Sequence, residues 1–193
     1  MPGFMGLTGT PGTGKKSIAP FLASKLELKS LGMNDFANSS GLVSASAEAP
    51  EVDARLLGKR ILRHMKGPAL IFGHLLPYAF PRGTFRRVVV LRCDPKILKS
   101  RLLQRNYPPE KVLSNVEAEL IGVIASDCFK AFGVKAVVEF DTSAASPKGV
   151  SKAILPLLRV GSHGRQYDWT RGYDSARKLR SLLSIPGLGA ARI

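Results

Sequence analysis

Apolar positions along the chain follow two rhythms. Short unbroken runs occur at Phe4 to Thr8, Ala69 to Phe72, Val88 to Leu91 and Val137 to Phe140. Each is too short for a helix, and their length and flanking turn residues predict buried strands. Between the runs, apolar residues recur at helical spacing. Positions 18, 21, 22 and 26 do so within Lys15 to Leu28, where Pro20 is expected to bend the first turns. Leu56, Leu57, Ile61 and Leu62 do so within Asp53 to Met65. Asp94-Pro95 opens a helix expected to reach about Gln104, Lys111 to Phe132 reads as one long helix, and Pro147 to Leu158 as another whose end Pro156 disturbs. Residues 36–50 are small and polar and predict a mobile surface flap, and Arg105 to Glu110 predicts a polar turn. No internal repeat is visible. Strands alternating with amphipathic helices specify an α/β fold with a parallel sheet, whose ligands bind at the carboxyl ends of the strands.

The length of 193 residues fits one domain, or one domain with appendages. Hydrophobic residues at 45% against 22% charged exclude a globally disordered chain. No apolar run is long enough to span a bilayer. Cys93 and Cys128 are too few for a disulfide framework or a four-thiolate zinc site, so a reducing compartment and a cytoplasmic location are expected. The amino terminus lacks a charged region followed by an apolar one, so no secretory signal is expected.

Charge changes the picture. The net charge is +15 and the pI about 10.3, a surface that either serves solubility or attracts polyanions. Residues 159–193 carry seven Lys or Arg against two Asp. Within them Tyr167, Trp169 and Tyr173 interleave with Arg165, Arg171, Arg177 and Arg180, a mixture suited to stacking on RNA bases and neutralising phosphates. Ala176, Leu179, Leu182 and Leu183 equally allow an amphipathic helix packed on the core. Beyond Pro186 a disordered end is expected.

The candidate chemistry lies at the first strand-to-helix turn, Gly9-Thr10-Pro11-Gly12-Thr13-Gly14-Lys15-Lys16-Ser17. Glycine, four residues, glycine and lysine is the spacing of a phosphate loop. Its glycines let main-chain amides approach an anion, the helix start adds positive potential, and Lys15 reaches the terminal phosphates. A standard loop places Ser or Thr after the lysine as a Mg²⁺ ligand. Here Lys16 stands there and Ser17 follows. Either Ser17 serves the metal or phosphate in a shifted geometry, or Lys16 replaces part of the metal's charge or weakens catalysis. Arg101 and Arg105 lie four apart at a helix end, as forks for phosphate oxygens or as a solvated face. Asp35 and Asp53 flank the flap and are candidates to hold an acceptor nucleotide or an ion, with a helix cap an equal reading of Asp53. His74 at a strand end is a candidate to contact a phosphate or a water, and a packed histidine is equally expected. His64 and His163 have no partners at ligand spacing.

Further segments complete a spaced pattern: Gly73-His74-Leu75, Val88 to Pro95, Leu98, Arg101-Leu102, Arg105-Asn106-Tyr107, Lys111, Asn115 and Glu119. With the glycine loop, it closely resembles the adenylate kinase isoenzyme 6 family, which includes archaeal adenylate kinase-like proteins. The resemblance covers about residues 4–158, with Arg92 to Glu119 its most specific stretch. It implies a P-loop kinase domain over residues 1–158 with a five-stranded parallel sheet, and a basic extension over 159–193. It implies ATP with Mg²⁺, transfer of the γ-phosphate to AMP, ATPase activity, a role in ribosomal RNA maturation, and a small-subunit ribosomal protein of the uS11 type as partner. By position, Gly12, Thr13, Gly14, Lys15, Lys16 and Ser17 fall on the ATP loop, with Ser17 the metal-side hydroxyl. Residues about 32–52 fall on the AMP flap, and about 104–114 on a short lid whose ATP-contacting arginine is Arg105. The Asp168-Trp169 pair resembles the end of some archaeal relatives, where it docks on the domain. The chain departs from the family at three points: Phe72 replaces an acid two residues before His74, Lys16 replaces Thr or Ser, and Asn38 replaces a common arginine. The leading expectation is an ATP:AMP phosphotransferase in which Lys15, Arg101 and Arg105 act on the transferring group. The other is a nucleotide-binding, ribosome-associated assembly factor with residual transfer.

Overall fold

In the computed structural model, residues 3–43, 52–160 and 167–185 are described. Five parallel strands form one sheet, β1 (Phe4–Gly9), β2 (Lys29–Gly32), β3 (Ala69–Phe72), β4 (Phe85–Arg92) and β5 (Val137–Asp141), in the order β2-β3-β1-β4-β5. The four runs seen in the sequence are four of these. β2 was not legible, because as an exposed edge strand reading Lys-Ser-Leu-Gly it carries no apolar run. β1 is central, and the chain crosses from one side of it to the other between β3 and β4. The carboxyl end of β1 is therefore the switch point at which ligands bind in such sheets.

Alternation along the strands divides the core. Leu7, Val89 and Leu91 face α1 (Lys15–Leu26) and α8 (Pro147–Val160) through Ile18, Leu22, Val150 and Ile154. Val88, Val90 and Ile71 face the opposite layer. That layer contains α2 (Met33–Ser39), α3 (Ala54–His64), α4 (Leu76–Ala79) and α7 (Val123–Phe132). A third apolar cluster gathers beyond the end of β4. It joins α5 (Pro95–Leu103) and α6 (Pro109–Leu120) to Leu182 and Ile185 at the end of α9 (Ala176–Leu183). The carboxyl-terminal helix is thus packed on the core, with Ser175 capping it through Lys178 N.

Four local expectations change. The region expected as a flap begins with helix α2, and only 44–51 lie outside the described residues. The single helix expected from Lys111 breaks into α6 and α7 at Gly122, whose φ is 68°. A Cβ there would stand 3.3 Å from the Arg92 guanidinium, so the break makes room for that side chain. The connection between α5 and α6 is Gln104 to Pro108, so Lys111 and Asn115 of the expected lid stand on α6. α8 also continues through Pro156 to Val160. Among the described residues, no helix is long and apolar enough to cross a membrane.

Gly58 on α3 lies flush against α4, and a Cβ there would run into the Ala79 carbonyl. Gly58→Ala is expected to lower stability by about 1–3 kcal/mol in urea unfolding. An open helical site would instead gain about 1 kcal/mol from the same change, so a raised midpoint would contradict the packing described.

Candidate functional site: a braced phosphate loop and a row of cavities

The chain leaves β1 at Gly9 and enters α1 at Lys15. Gly9, Gly12 and Gly14 hold φ of 138°, 95° and 100°, a region that side chains disfavour. At Gly12 a Cβ would also meet Leu98 at 2.6 Å and Leu102 at 2.9 Å. The loop is fixed at two points. Thr10 Oγ1 donates to Glu119 Oε2 at 2.5 Å. Thr142, just past β5, places its hydroxyl between the Thr13 carbonyl at 3.0 Å and the Arg92 carbonyl at 2.9 Å, which share its one proton.

Glu119 belongs to a buried polar network. Its Oε1 accepts from Arg92 Nε at 2.7 Å, Cys93 N at 3.1 Å and Trp169 Nε1 at 3.2 Å. Arg92 also donates to Glu139 Oε1, to the Glu119 carbonyl and to the Tyr167 carbonyl. Tyr167 N donates to Glu139 Oε2 at 3.2 Å. Burial pushes the Glu139 carboxyl above its ordinary range, against the pull of Arg92. The Trp169 ring lies 6.0 Å from Arg92 Cζ and stacks on Tyr167 at 5.6 Å. Two of the aromatics read as an RNA platform therefore cover the Arg92 network, and the third, Tyr173, packs in the third apolar cluster and donates to Asp94 Oδ1 at 3.3 Å. Arg171, Arg177 and Arg180 are exposed.

Lys15 turns back on the loop and donates to the carbonyls of Gly9 at 2.7 Å and Thr10 at 3.0 Å. Burial pulls its pKa down to about 7, with Arg105 acting the same way and Glu119 opposing. His74 is held below its ordinary value by burial and by the Lys15 charge, so its imidazole is neutral at pH 7.

Three cavities run in a row across the carboxyl edge of the sheet. The central cleft, about 520 Å³, is lined by the loop together with Asp35, His74, Arg105 and Lys111. On one side a cavity of about 200 Å³ shares Gly12, Gly14, Ser17 and Arg105 with it and adds Arg101, Thr142 and Ala145. On the other a cavity of about 290 Å³ shares Asn34 and His74 and adds Asn38, Val43, Val52 and Leu57. A separate groove of about 770 Å³ between α5 and α9 is lined by Lys96, Lys99, Tyr173, Arg177 and Lys178.

Lys15, Lys16, Ser17, Asp35, His74 and Arg105 thus converge on one cleft. Arg101 does not line it. Its guanidinium donates to the Thr142 carbonyl at 2.8 Å and to Cys93 Sγ at 3.3 Å, and so walls the smaller cavity beside the loop. Asp53 does not line the cavities either: its carboxylate caps α3 through Arg55 N at 2.9 Å and Leu56 N at 3.0 Å. Thr142 was missed because a lone threonine after a strand carries no pattern. Its place at a strand's carboxyl end was the available signal.

For Mg²⁺, the donor set on the protein is poor. Lys16 occupies the position of the usual hydroxyl, Phe72 ends β3 beside Leu7 where the family has an acid, and Asp35 is paired with Lys16. Among the described residues no three His, Cys, Asp or Glu side chains gather as a metal site. Neither of the two usual protein oxygens is in place, and Ser17 and Asp35 are the candidates that remain in the cleft, a poor fit to the ion.

A sequence profile described as an AAA domain matches residues 5–122. The chain is 34% identical to a "Putative adenylate kinase" of Pyrococcus furiosus, covering 87% of this chain and 92% of the relative. It is 35% identical to one of Thermococcus kodakarensis, covering 87% and 93%. In fold it is similar to a shikimate kinase of Acinetobacter baumannii in complex with shikimate, at a TM-score of 0.59 and 17% identity over 83% of this chain and 94% of that one. It is also similar to a gluconokinase of Sinorhizobium meliloti, at 0.56 and 16% over 82% and 93%. The chain belongs to the adenylate kinase isoenzyme 6 family, whose fold is that of the P-loop nucleotide kinases.

Three outcomes follow from the network and the lysine. Glu119→Gln leaves Arg92 short of a buried counter-charge and is expected to cost about 3 kcal/mol in urea unfolding; an unchanged midpoint would contradict the network. Phosphate binding needs the Lys15 ammonium, whose pKa burial pulls down to about 7. At pH 8 nucleotide binding is therefore expected to take up protons, seen as a dependence of calorimetric heat on buffer ionisation, and to weaken as pH rises further. The ligand-free fold runs the opposite way. A depressed lysine pKa means the unfolded chain holds more protons, so stability rises between about pH 7 and 10.5.

Proposed function

We propose that the protein is an ATP:AMP phosphotransferase, and the single observation that carries the reading is the row of three joined cavities. A kinase with two nucleotide substrates needs a phosphate cleft with a base cavity at each end. The cleft provides cations and loop amides, and both neighbours share residues with it. In this reading the ATP base sits in the cavity walled by Arg101 and Ala145, and the triphosphate runs along the loop. AMP occupies the cavity lined by Asn38 and Leu57, its phosphate toward His74. The acceptor phosphate attacks the γ-phosphorus in line, the bond to the β,γ-bridging oxygen breaks, and two ADP result. Lys15 leaves the Gly9 and Thr10 carbonyls for the phosphates, and Arg105, which lines both the cleft and the ATP-side cavity, follows charge onto the transferring group. Positioning and cationic stabilisation supply the catalysis, and no covalent intermediate is required.

A second reading, nucleotide binding as a switch with residual transfer in an RNA- or ribosome-associated chain, is favoured by Lys16 and Phe72 together. The basic groove between α5 and α9, with Lys96, Arg177 and Lys178, supports a polyanionic partner such as ribosomal RNA.

The test is a coupled assay of ADP formation from ATP and AMP. Transfer is expected in the wild type, and Lys15→Met is expected to lower kcat/KM by about a thousandfold, the scale of losing a charged transition-state contact. Saturable ATP binding without AMP-dependent turnover would support the switch.

A further inference from the structure

The cleft is unusual in the balance of charge it presents to a triphosphate. Lys15, Lys16, Arg105 and Lys111 line it, and Asp35 is the one carboxylate among its described lining residues. That carboxylate is already engaged: Lys16 Nζ stands 3.4 Å from Asp35 Oδ1. Asp35 Oδ2 and the Phe72 ring converge on Gly32, where a Cβ would stand 2.8 Å from the oxygen and 2.9 Å from ring Cζ. Lys16, Asp35 and Phe72 thus line the same cleft, and position 72 is the one from which an acid would otherwise hold hydrated magnesium. In this fold the hydroxyl after the loop lysine and that acid act together on the metal. Here the first is replaced by a fixed positive charge and the second by a hydrocarbon ring.

We propose that the site takes nucleoside triphosphate free of divalent metal, with the Lys16 ammonium standing in for the cation that usually bridges the β- and γ-phosphates. This rests on the reading above that the cleft binds a triphosphate. Magnesium demands a near-octahedral shell of oxygens, and a divalent ion entering this cleft meets four cationic side chains and an acid bound to one of them. Metal-free ATP carries two more negative charges than its magnesium complex and gains from the same surroundings. Lysine suits the role because its ammonium is a compact charge on a flexible stem. The Lys16 side chain is 81% exposed and its partner 63%, and exposed pairs of this kind are weak. A triphosphate readily displaces Asp35 from Lys16. Asp35 then acts as a counterweight that occupies Lys16 when the cleft is empty.

Isothermal titration of ATP, at matched ionic strength with excess Mg²⁺ or with EDTA, tests this on the full chain. The wild type is expected to bind ATP in EDTA at least as tightly as with Mg²⁺. Lys16→Thr, a change at an exposed position, is expected to lose about tenfold or more in EDTA, the scale of one charge-assisted contact, and to regain affinity when Mg²⁺ is added. Asp35→Asn is expected to tighten metal-free binding several-fold by releasing Lys16. Wild-type affinity that falls tenfold or more on chelation would overturn the inference while leaving triphosphate binding intact. So would an Asp35→Asn variant that loses only Mg²⁺-dependent binding, because it would give Asp35 the metal. Absence of binding under both conditions would remove the nucleotide reading itself.

Discussion

The structure depends on a buried ion pair with every partner accounted for. Arg92 and Glu119 are almost wholly enclosed, at 3% and 2% side-chain exposure. Taking two charges out of water is costly, and the cost is offset only where the remaining donors and lone pairs are satisfied. Here the Cys93 main-chain N–H, a threonine hydroxyl and an indole complete the set around Glu119. Those donors come from the phosphate loop, the end of β4 and the carboxyl-terminal segment. The pair is therefore a junction at which three distant parts of the chain must meet, and it fixes the specific arrangement more than it adds bulk stability.

The site inherits its rigidity from that junction. Thr10 is held by Glu119 and Thr13 by Thr142, so two hydrogen bonds from outside the loop brace its shape. Lys15 then rests on loop carbonyls, partly discharged, and is available to move. The carboxyl-terminal segment, basic as it is, takes part in this construction: Trp169 closes the network, and Lys99 caps α9 by donating to the Leu182 carbonyl at 2.7 Å. Its Arg177 and Arg180 are exposed and Tyr173 lines the groove beside Arg177, whereas Tyr167 and Trp169 are engaged at the network.

Much of this was legible in the chain where a pattern is local. The glycine loop, four of the strands and the caps at Asp53 and Asp94 follow from short spacings. β2 escaped notice because an edge strand needs no apolar run, and the division of α6 from α7 because Gly122 has meaning only once Arg92 packs against it. Glu119 stood in the family pattern, but its role required knowing that the end of α6 lies over Thr10, 109 residues earlier. The mixture of tyrosine, tryptophan and arginine left two readings open for a related reason: composition does not say which way a ring faces. Lys16 was visible at once as a departure, and its contact with Asp35 gives that departure a geometry.

Trp169 is the only tryptophan in the chain, so its indole N–H reports on the junction without interference. The most direct measurement follows the ¹⁵N–¹H resonance of that indole while ATP is added, alongside the main-chain amide of Thr10. If Glu119 couples the loop to the carboxyl-terminal segment, both resonances move with the same saturation curve. An indole signal that stays fixed while the loop amide shifts to saturation would contradict the account.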